Sequence, residues 1–331
     1  MANLLTRYLL HYVTQELIKV APNVKAQDPN SATPIIDHAI KKAFVTLDDN
    51  MMCAAAAAVL SEESFATKVS QLIPGYAGSC ALLSLFDPES RLLRVACTGD
   101  SRAVLGQKSS DGSWQTVALS IDQHGENPDE LARLQREHPD EPNMVKGKRL
   151  LGIAVTRAFG DGRWKWDQET QEVARQKYNG PKVRPDFKTP PYLTAEPVIA
   201  TKEIEMDKPS FLIMASDGLW DHMSSEQAVM LVGKWLDWTA AGRPSPTPPT
   251  TTFDDFDLSL FEDADWQVNE KTVTTQDENA AVHLARNALG GANPHILSGV
   301  LTFQPPLSRN VRDDITVQVI FFGDGKTYPK L

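Results

Sequence analysis

The chain opens on apolar residues at helical spacing. Over residues 3–20, Leu5, Tyr8, Leu9, Tyr12 and Leu17 fall on one side, which predicts an amphipathic helix. Residues 21–30 carry Pro22 and Pro29 among Asn, Gln and Asp, and read as a loop. A second helical pattern runs over 34–47. The alanine run 54–58 lies near a third helix, where small side chains allow close packing. From Ser79 the period shortens. Short apolar runs at 79–86, 91–97, 102–106 and 114–120 are punctuated by Asp87-Pro-Glu-Ser90, Gly99-Asp100 and Ser109-Ser-Asp-Gly-Ser113. Strand-length runs between turn residues predict an antiparallel meander.

Asn127 followed by Pro128 predicts a helix over 127–137 with Asn127 as its cap. Residues 140–195 are rich in charge, Pro and Trp with little periodicity, as in an irregular flap over a site. Strands resume at 198–204 and 211–215. Ser224-Ser-Glu-Gln227 is a capping-box pattern before a helix over 227–238. Residues 240–274 begin Pro/Thr-rich and turn acidic, yet keep Phe253, Phe256, Phe261 and Trp266. They read as a mobile surface insertion whose aromatics suit docking. A helix over 278–289 ends at Gly290-Gly291, and a last strand covers 315–322. Helices first, then strands with interspersed helices, predict one α+β domain over 1–331 with antiparallel sheet.

Composition narrows the function classes. The chain is 41% apolar and 23% charged, as soluble globular proteins are. A net charge of −10 argues against nucleic-acid binding, which uses a basic surface. No run approaches the ~18 apolar residues of a membrane span. The three cysteines, Cys53, Cys80 and Cys97, cannot all pair with one another and lack metal-ligand spacing. Each sits among apolar residues and reads as a buried thiol in a reducing compartment.

The candidate chemistry lies at strand ends. Phe211-Leu-Ile-Met-Ala-Ser-Asp-Gly-Leu-Trp-Asp221 is an apolar run that delivers Asp217 to a Gly turn before a helix start. Asp313-Asp314 stands at the mouth of the last strand. Asp100 lies in Thr98-Gly-Asp-Ser-Arg102 between two apolar runs, where Gly-Asp-Ser is also ordinary turn chemistry. Short carboxylates from distant parts of a chain, gathered by the fold, suit a hard Mg2+ or Mn2+ ion. Arg102 and Arg157 read as partners of local carboxylates or carbonyls, Asp161 as structural, and His222 as a helix-start residue. His124 fits no catalytic pattern. No Cys-x5-Arg loop and no Gly-rich loop ending in Lys-Ser/Thr is present, which disfavours a cysteine phosphatase and a P-loop NTPase.

Four segments carry a family resemblance: Thr98-Gly-Asp-Ser-Arg-Ala-Val-Leu105, Arg157-Ala-Phe-Gly-Asp161, Ala215-Ser-Asp-Gly-Leu-Trp-Asp221 and Arg312-Asp-Asp-Ile-Thr-Val317. In order and spacing they resemble the metal-dependent serine/threonine phosphatases of the 2C (PPM) type. Arg149-Leu-Leu-Gly152, Lys165-Trp166, Pro190-Pro-Tyr-Leu-Thr-Ala-Glu-Pro197 and the stretch from Ser120 to Leu131 resemble the pyruvate dehydrogenase phosphatase branch. The resemblance implies an antiparallel β-sandwich flanked by helices. It implies hydrolysis of phosphoserine and phosphothreonine in proteins by a metal-activated water, with pyruvate dehydrogenase a candidate substrate. By residue match, Asp217 and Asp313 hold one Mg2+ or Mn2+ and Asp100 belongs to a weaker metal position. Gly218 allows the turn that presents Asp217. Asp314, where much of the family has asparagine, is a supporting residue.

The family signature Asp-Gly-His-x-Gly, whose aspartate bridges two metals, appears nowhere in the 331 residues. Nor does the upstream arginine that grips substrate phosphate have a counterpart. The opening Leu4–Leu17 segment resembles the helix that follows this signature, so the sandwich is expected to be N-terminally truncated. On that reading the chain as written has marginal stability and impaired activity. The alternative is a pseudophosphatase or fragment that acts as a binding module. The resemblance implies the mitochondrial matrix. No targeting segment is seen in the chain, since the first residues read as a core helix, and a cytoplasmic location is the alternative.

Overall fold

The structure, a computed structural model, describes residues 1–25, 28–245 and 266–323. It begins with helices α1 (Ala2–Lys25), α2 (Pro29–Leu60) and α3 (Phe65–Tyr76). Strands β1 (Gly78–Ser79), β2 (Ala81–Asp87), β3 (Leu92–Thr98), β4 (Arg102–Lys108) and β5 (Trp114–Ala118) follow. Then come α4 (Pro128–Glu137), the short strands β6 (Val145–Lys146), β7 (Arg149–Leu150) and β8 (Phe159–Gly160), and α5 (Gln168–Tyr178). The last third holds β9 (Val198–Glu203), β10 (Ser210–Ala215), α6 (Asp217–Trp220), α7 (Ser225–Ala240), α8 (Ala280–Ala288), α9 (Pro294–Thr302) and β11 (Val317–Phe322). The expected α+β class, with antiparallel sheet and helices, is what forms. The chain divides into two compact units.

The first unit comprises residues 1–85, 94–100 and 121–200. Leu5, Leu9 and Val13 of α1 meet Ile40, Ala43, Phe44 and Leu47 of α2, with Ala81, Ala96 and Phe159 in the same core. The buried face of α1 is therefore Leu5/Leu9/Val13. Tyr8, expected on it, is 45% exposed. The expected loop at 21–30 is also corrected. Helix continues through Pro22 to Lys25, and Pro29 opens the next. Proline is tolerated in a helix's first turn, so Pro29 marks a start and not a break. The alanine run belongs to the end of α2, where Ala55 and Val59 pack on Leu72, Trp166 and Tyr178. The region 140–195 is largely irregular but not coreless. Met144, Leu150, Val155, Phe187 and Tyr192 bury one another there, and Asp167 caps α5 by accepting from the Thr170 N–H.

Two buried ion networks brace this unit. Asp48 of α2 accepts from Lys165 Nζ at 2.6 Å and from the Gly160 N–H at 2.7 Å. Glu130 of α4 receives the Arg157 guanidinium at 2.7 Å, Arg133 at 3.0 Å and the Thr156 hydroxyl at 2.7 Å. Burial works to raise the Glu130 pKa, but the Arg157 hydrogen bonds and the two arginine charges outweigh it and hold the carboxylate below its usual range. Arg157 also donates to the Glu196 carbonyl, so it is paired as expected.

The second unit comprises residues 86–93, 101–120 and 201–331. Its sheet has the order β11–β10–β4–β5, all antiparallel. Every residue of β10 is buried, which explains an unbroken apolar run where a half-exposed strand would alternate. Ile213 and Phe211 pack under α7 and α8 against Val229, Val232 and Leu284. The capping box at Ser224 forms as expected: its hydroxyl accepts from the Gln227 N–H, and the Gln227 side chain returns to the Ser224 N–H. The meander is corrected here. β2 and β3 lie in the sheet ordered β2–β3–β9, whereas β4 and β5 lie in the other. The chain leaves one sheet for the other at Gly99, with φ +106°, where a Cβ would lie 2.2 Å from Cys80 Sγ. The insertion expected over 240–274 ends earlier, because Trp266 and Val268 are buried in the second unit's cores. Phe253, Phe256 and Phe261 lie outside the described residues. The cysteines are free, but only Cys97 is buried as expected; Cys53 is exposed and Cys80 half-buried.

Candidate metal centre

β10 runs antiparallel to β11, with Ala215 opposite Val317, so the end of one strand faces the approach to the other. Beyond Ala215 the chain turns into α6, whose first residue is Asp217. Across from it Asp313 and Asp314 lead into β11. Ser216 stitches the two segments together. Its hydroxyl donates to the Asp314 carbonyl at 2.8 Å and accepts from the Thr316 N–H at 2.9 Å, while its own N–H donates to the Thr316 carbonyl at 3.1 Å. Gly218 lets the segments close. A Cβ there would lie 2.8 Å from the Asp314 carbonyl oxygen and 3.3 Å from Asp313 Cβ. Gly218, expected to allow the turn, also leaves the Asp314 backbone the room a side chain would fill.

The side chains follow from this frame. Asp217 Oδ1 accepts from the Gly218 N–H at 3.0 Å. Asp313 Oδ1 accepts from the Asp314 N–H at 2.7 Å, and its carboxylate takes the Arg309 guanidinium at 3.1 and 3.4 Å. Asp314 supports the pair through its backbone, giving its N–H to Asp313 and its carbonyl to Ser216. Trp220 fixes the turn by donating Nε1 to the Ala215 carbonyl at 3.0 Å. Arg102, opposite Ala215 in the sheet, lies over the Trp220 ring at 5.1 Å.

Asp217 and Asp313 are thus brought to facing segments of the second unit. Asp100 belongs to the first, where one of its oxygens takes the Cys80 thiol at 3.1 Å. Among the described residues no three His, Cys, Asp or Glu side chains gather into a ready cation site. The donor set nevertheless fits one hard divalent ion. Two short carboxylates stand on backbone brought within contact at Gly218, and Mg2+ retains several waters when few protein oxygens bind it. The other residues considered stay structural. His124 Nδ1 accepts from the Glu126 N–H, and His222 is buried against the Trp266 carbonyl. Asp161, left-handed at φ 53°, is pushed up to about 6 by burial and by Asp48, against the pull of Lys165. An open cleft of about 790 Å³ in the first unit, lined by Asp48, Glu130, Arg133, Arg157 and Lys165 among others, contains none of the predicted ligands. Sequence reasoning missed Ser216 and Arg309. The i, i+4 spacing of Arg309 and Asp313 was the available signal for the second.

Comparison with known proteins decides the family. The protein phosphatase 2C family profile matches residues 7–247. A protein phosphatase 2C homologue of Schizosaccharomyces pombe is 45% identical over 98% of this chain and 70% of its own length. The chain belongs to the protein phosphatase 2C family. Within it, the mitochondrial pyruvate dehydrogenase phosphatase 1 of Saccharomyces cerevisiae is 35% identical over 98% of this chain and 60% of its own length. The human protein of the same name is 37% identical over 70% of this chain and 45% of its own. This phosphatase 2C chain thus spans between about half and two thirds of these two relatives. In fold it is similar to the serine-threonine phosphatase 2C of Toxoplasma gondii, with a TM-score of 0.51 at 17% identity over 96% of this chain and 80% of the other. The Asp217 turn and the Asp313 segment quoted for the resemblance are the two that pack together at Ser216 and Gly218.

Proposed function

We propose that this chain is a protein serine/threonine phosphatase whose second unit holds Mg2+ or Mn2+ on Asp217 and Asp313. The observation that carries this reading is the tight approach of the two carboxylate-bearing segments at Ser216 and Gly218. A divalent ion held there neutralises charge on a phosphoryl group and lowers the pKa of water for in-line attack. The chain's own residues do the rest. Ser216 and Gly218 fix the spacing of the pair, and Asp314 orients Asp313 through its N–H. Asp100 keeps the role implied by resemblance, a ligand of a weaker metal position. Family membership supports the reaction class, and the relatives' names support a phosphoprotein such as pyruvate dehydrogenase as substrate and the mitochondrion as location. No described helix is long and apolar enough to cross a membrane.

The test is Mn2+-dependent release of phosphate from a phosphoserine peptide by the 331-residue chain and by an N-terminally extended form. Asp217→Asn keeps the size of the side chain and removes its charge, so it should abolish turnover and weaken Mn2+ binding in calorimetry. Equal Mn2+ affinity in variant and parent removes Asp217 from the site. Absence of turnover in both forms puts the binding-module reading ahead.

A further inference from the structure

Arg309 stands one helical turn before Asp313, in the 3-10 turn Leu307–Asn310. Its guanidinium faces the Asp313 carboxylate with one nitrogen on each oxygen, at 3.1 and 3.4 Å. The arginine side chain is 75% exposed and that of Asp313 30%. Asp313 is the one hydrogen-bonding or ion-pairing partner of Arg309 among the described residues. Other cations near this strand end are held. Arg312 donates to the carbonyls of Val300 and Phe303, and Arg102 lies on Trp220 and reaches the Ser225 hydroxyl. Among these described cations, Arg309 is the one that rests on a group with a second use.

Resting on the phosphatase reading above, we propose that Arg309 is a substrate-binding residue. Its guanidinium, which lies on Asp313, gives that carboxylate up to a divalent ion and grips the substrate phosphate. The Asp313 oxygens that face the guanidinium are those a divalent ion requires, and two cations repel at that distance. An exposed ion pair is weak and gives way. The released guanidinium stays on a short turn four residues from Asp313, so it remains beside any phosphoryl group drawn to the ion. Its planar fork matches two phosphate oxygens, and charge-assisted bonds of that kind are strong. The exchange involves no covalent step.

The experiment uses the full chain, Arg309→Gln and Arg309→Lys. Calorimetry measures Mn2+ affinity, and fluorescence anisotropy measures a labelled phosphoserine peptide at saturating Mn2+, with the unphosphorylated peptide as control. Arg309→Gln should bind Mn2+ as well as the parent or a few-fold tighter, because a competing cation is gone, and bind the phosphopeptide roughly tenfold more weakly. Arg309→Lys keeps the charge without the fork and should recover part of the peptide affinity. Superimposable circular dichroism and melting curves confirm that an exposed side chain was changed without loss of fold. Two results overturn the proposal alone: weaker Mn2+ binding in Arg309→Gln, which makes the arginine a structural support of Asp313, or unchanged phosphopeptide binding. A parent that binds Mn2+ but no phosphopeptide overturns the phosphatase reading and this one with it.

Discussion

Replacing Gly218 by alanine adds one methyl group where the two carboxylate segments pack together. That methyl would lie 2.8 Å from the Asp314 carbonyl oxygen, about half an ångström inside an ordinary C···O contact of ~3.3 Å. The obstacle is backbone, which cannot rotate away as a side-chain tip does. Relief therefore requires the 313–314 segment to move off the Asp217 turn, and Asp313 Cβ, 3.3 Å from the new methyl, moves with it. Overpacking of this kind costs about 1–3 kcal/mol. Alanine in place of glycine returns up to about 1 kcal/mol of helix propensity at the start of α6. The net expectation is a loss of about 0–3 kcal/mol and a lower melting temperature. The larger effect falls on the metal. Ligand positions are set to within about 0.2 Å, so a displacement of roughly half an ångström between two carboxylates should weaken Mn2+ binding about tenfold. Calorimetric titration of the 331-residue chain with Mn2+, alongside thermal melting, measures both. Mn2+ binding equal to the parent together with an equal or higher melting temperature would refute the reasoning, because helix propensity would then be the only term the methyl had touched.

Ser216→Ala removes the hydroxyl bonds to Asp314 and Thr316 and should cost about 1–2 kcal/mol, with a several-fold loss of Mn2+ affinity by calorimetry. Asp161, pushed up to about 6 by burial first, holds its proton in the folded chain where the unfolded chain, with an ordinary carboxyl near 3.8, has lost it. Folding stability from this group therefore falls as pH rises from about 4 to 6, and Asp161→Asn should abolish that component and stabilise the chain at pH 7 in urea titrations. His283, lowered to about 4 by burial, acts with the opposite sign between about 4 and 6.5, so the difference between variant and parent is the quantity to follow. Asp48→Ala should cost about 3–5 kcal/mol by leaving Lys165 buried without its carboxylate, whereas Asp48→Leu with Lys165→Met should be far milder. Equal losses for the single and double variants would show that packing, not charge, holds α2 to the 158–165 segment.

Much of this architecture is legible in the pattern because it rests on local rules. The apolar run at 211–215 had to be a buried strand, and Ser224 with Gln227 had to cap a helix, since both signals act over a few residues. The failures come where tertiary contact overrides the local signal. Pro22 and Pro29 read as loop, yet the packing of Leu5, Leu9 and Val13 on α2 extends α1 past the first and starts a helix at the second. The runs after Ser79 match strands β2 to β5 in place, except that Ser79 itself pairs with β8. Their division between two sheets turns on a single left-handed glycine at 99, a matter of long-range pairing that periodicity does not carry. Asp217 and Asp313 were legible because each ends or precedes an apolar strand. Ser216 was not, because a serine beside an aspartate has no pattern until its partners, 98 and 100 residues away, are in place.

The carboxylates of this chain serve two ends, and the partners they keep tell them apart. Glu130 and Asp48 are buried and spend every strong interaction inside the first unit, on arginine, lysine and backbone donors. Drawing a metal ion to either would require breaking a charge pair in a poorly solvated place, where an unpaired partner costs several kcal/mol. Asp217 and Asp313 are half-exposed; Asp217 accepts from a backbone N–H, and Asp313 from a backbone N–H and the exposed Arg309. A hard cation can replace an exposed partner such as Arg309 at little cost, and the backbone donors orient the carboxylates. The acidic residues proposed for the metal are therefore not the most buried ones but two half-exposed ones on a rigid framework. Ser216 and Gly218 supply that rigidity through the main chain, so mutation at either should disturb metal binding more than it disturbs the fold.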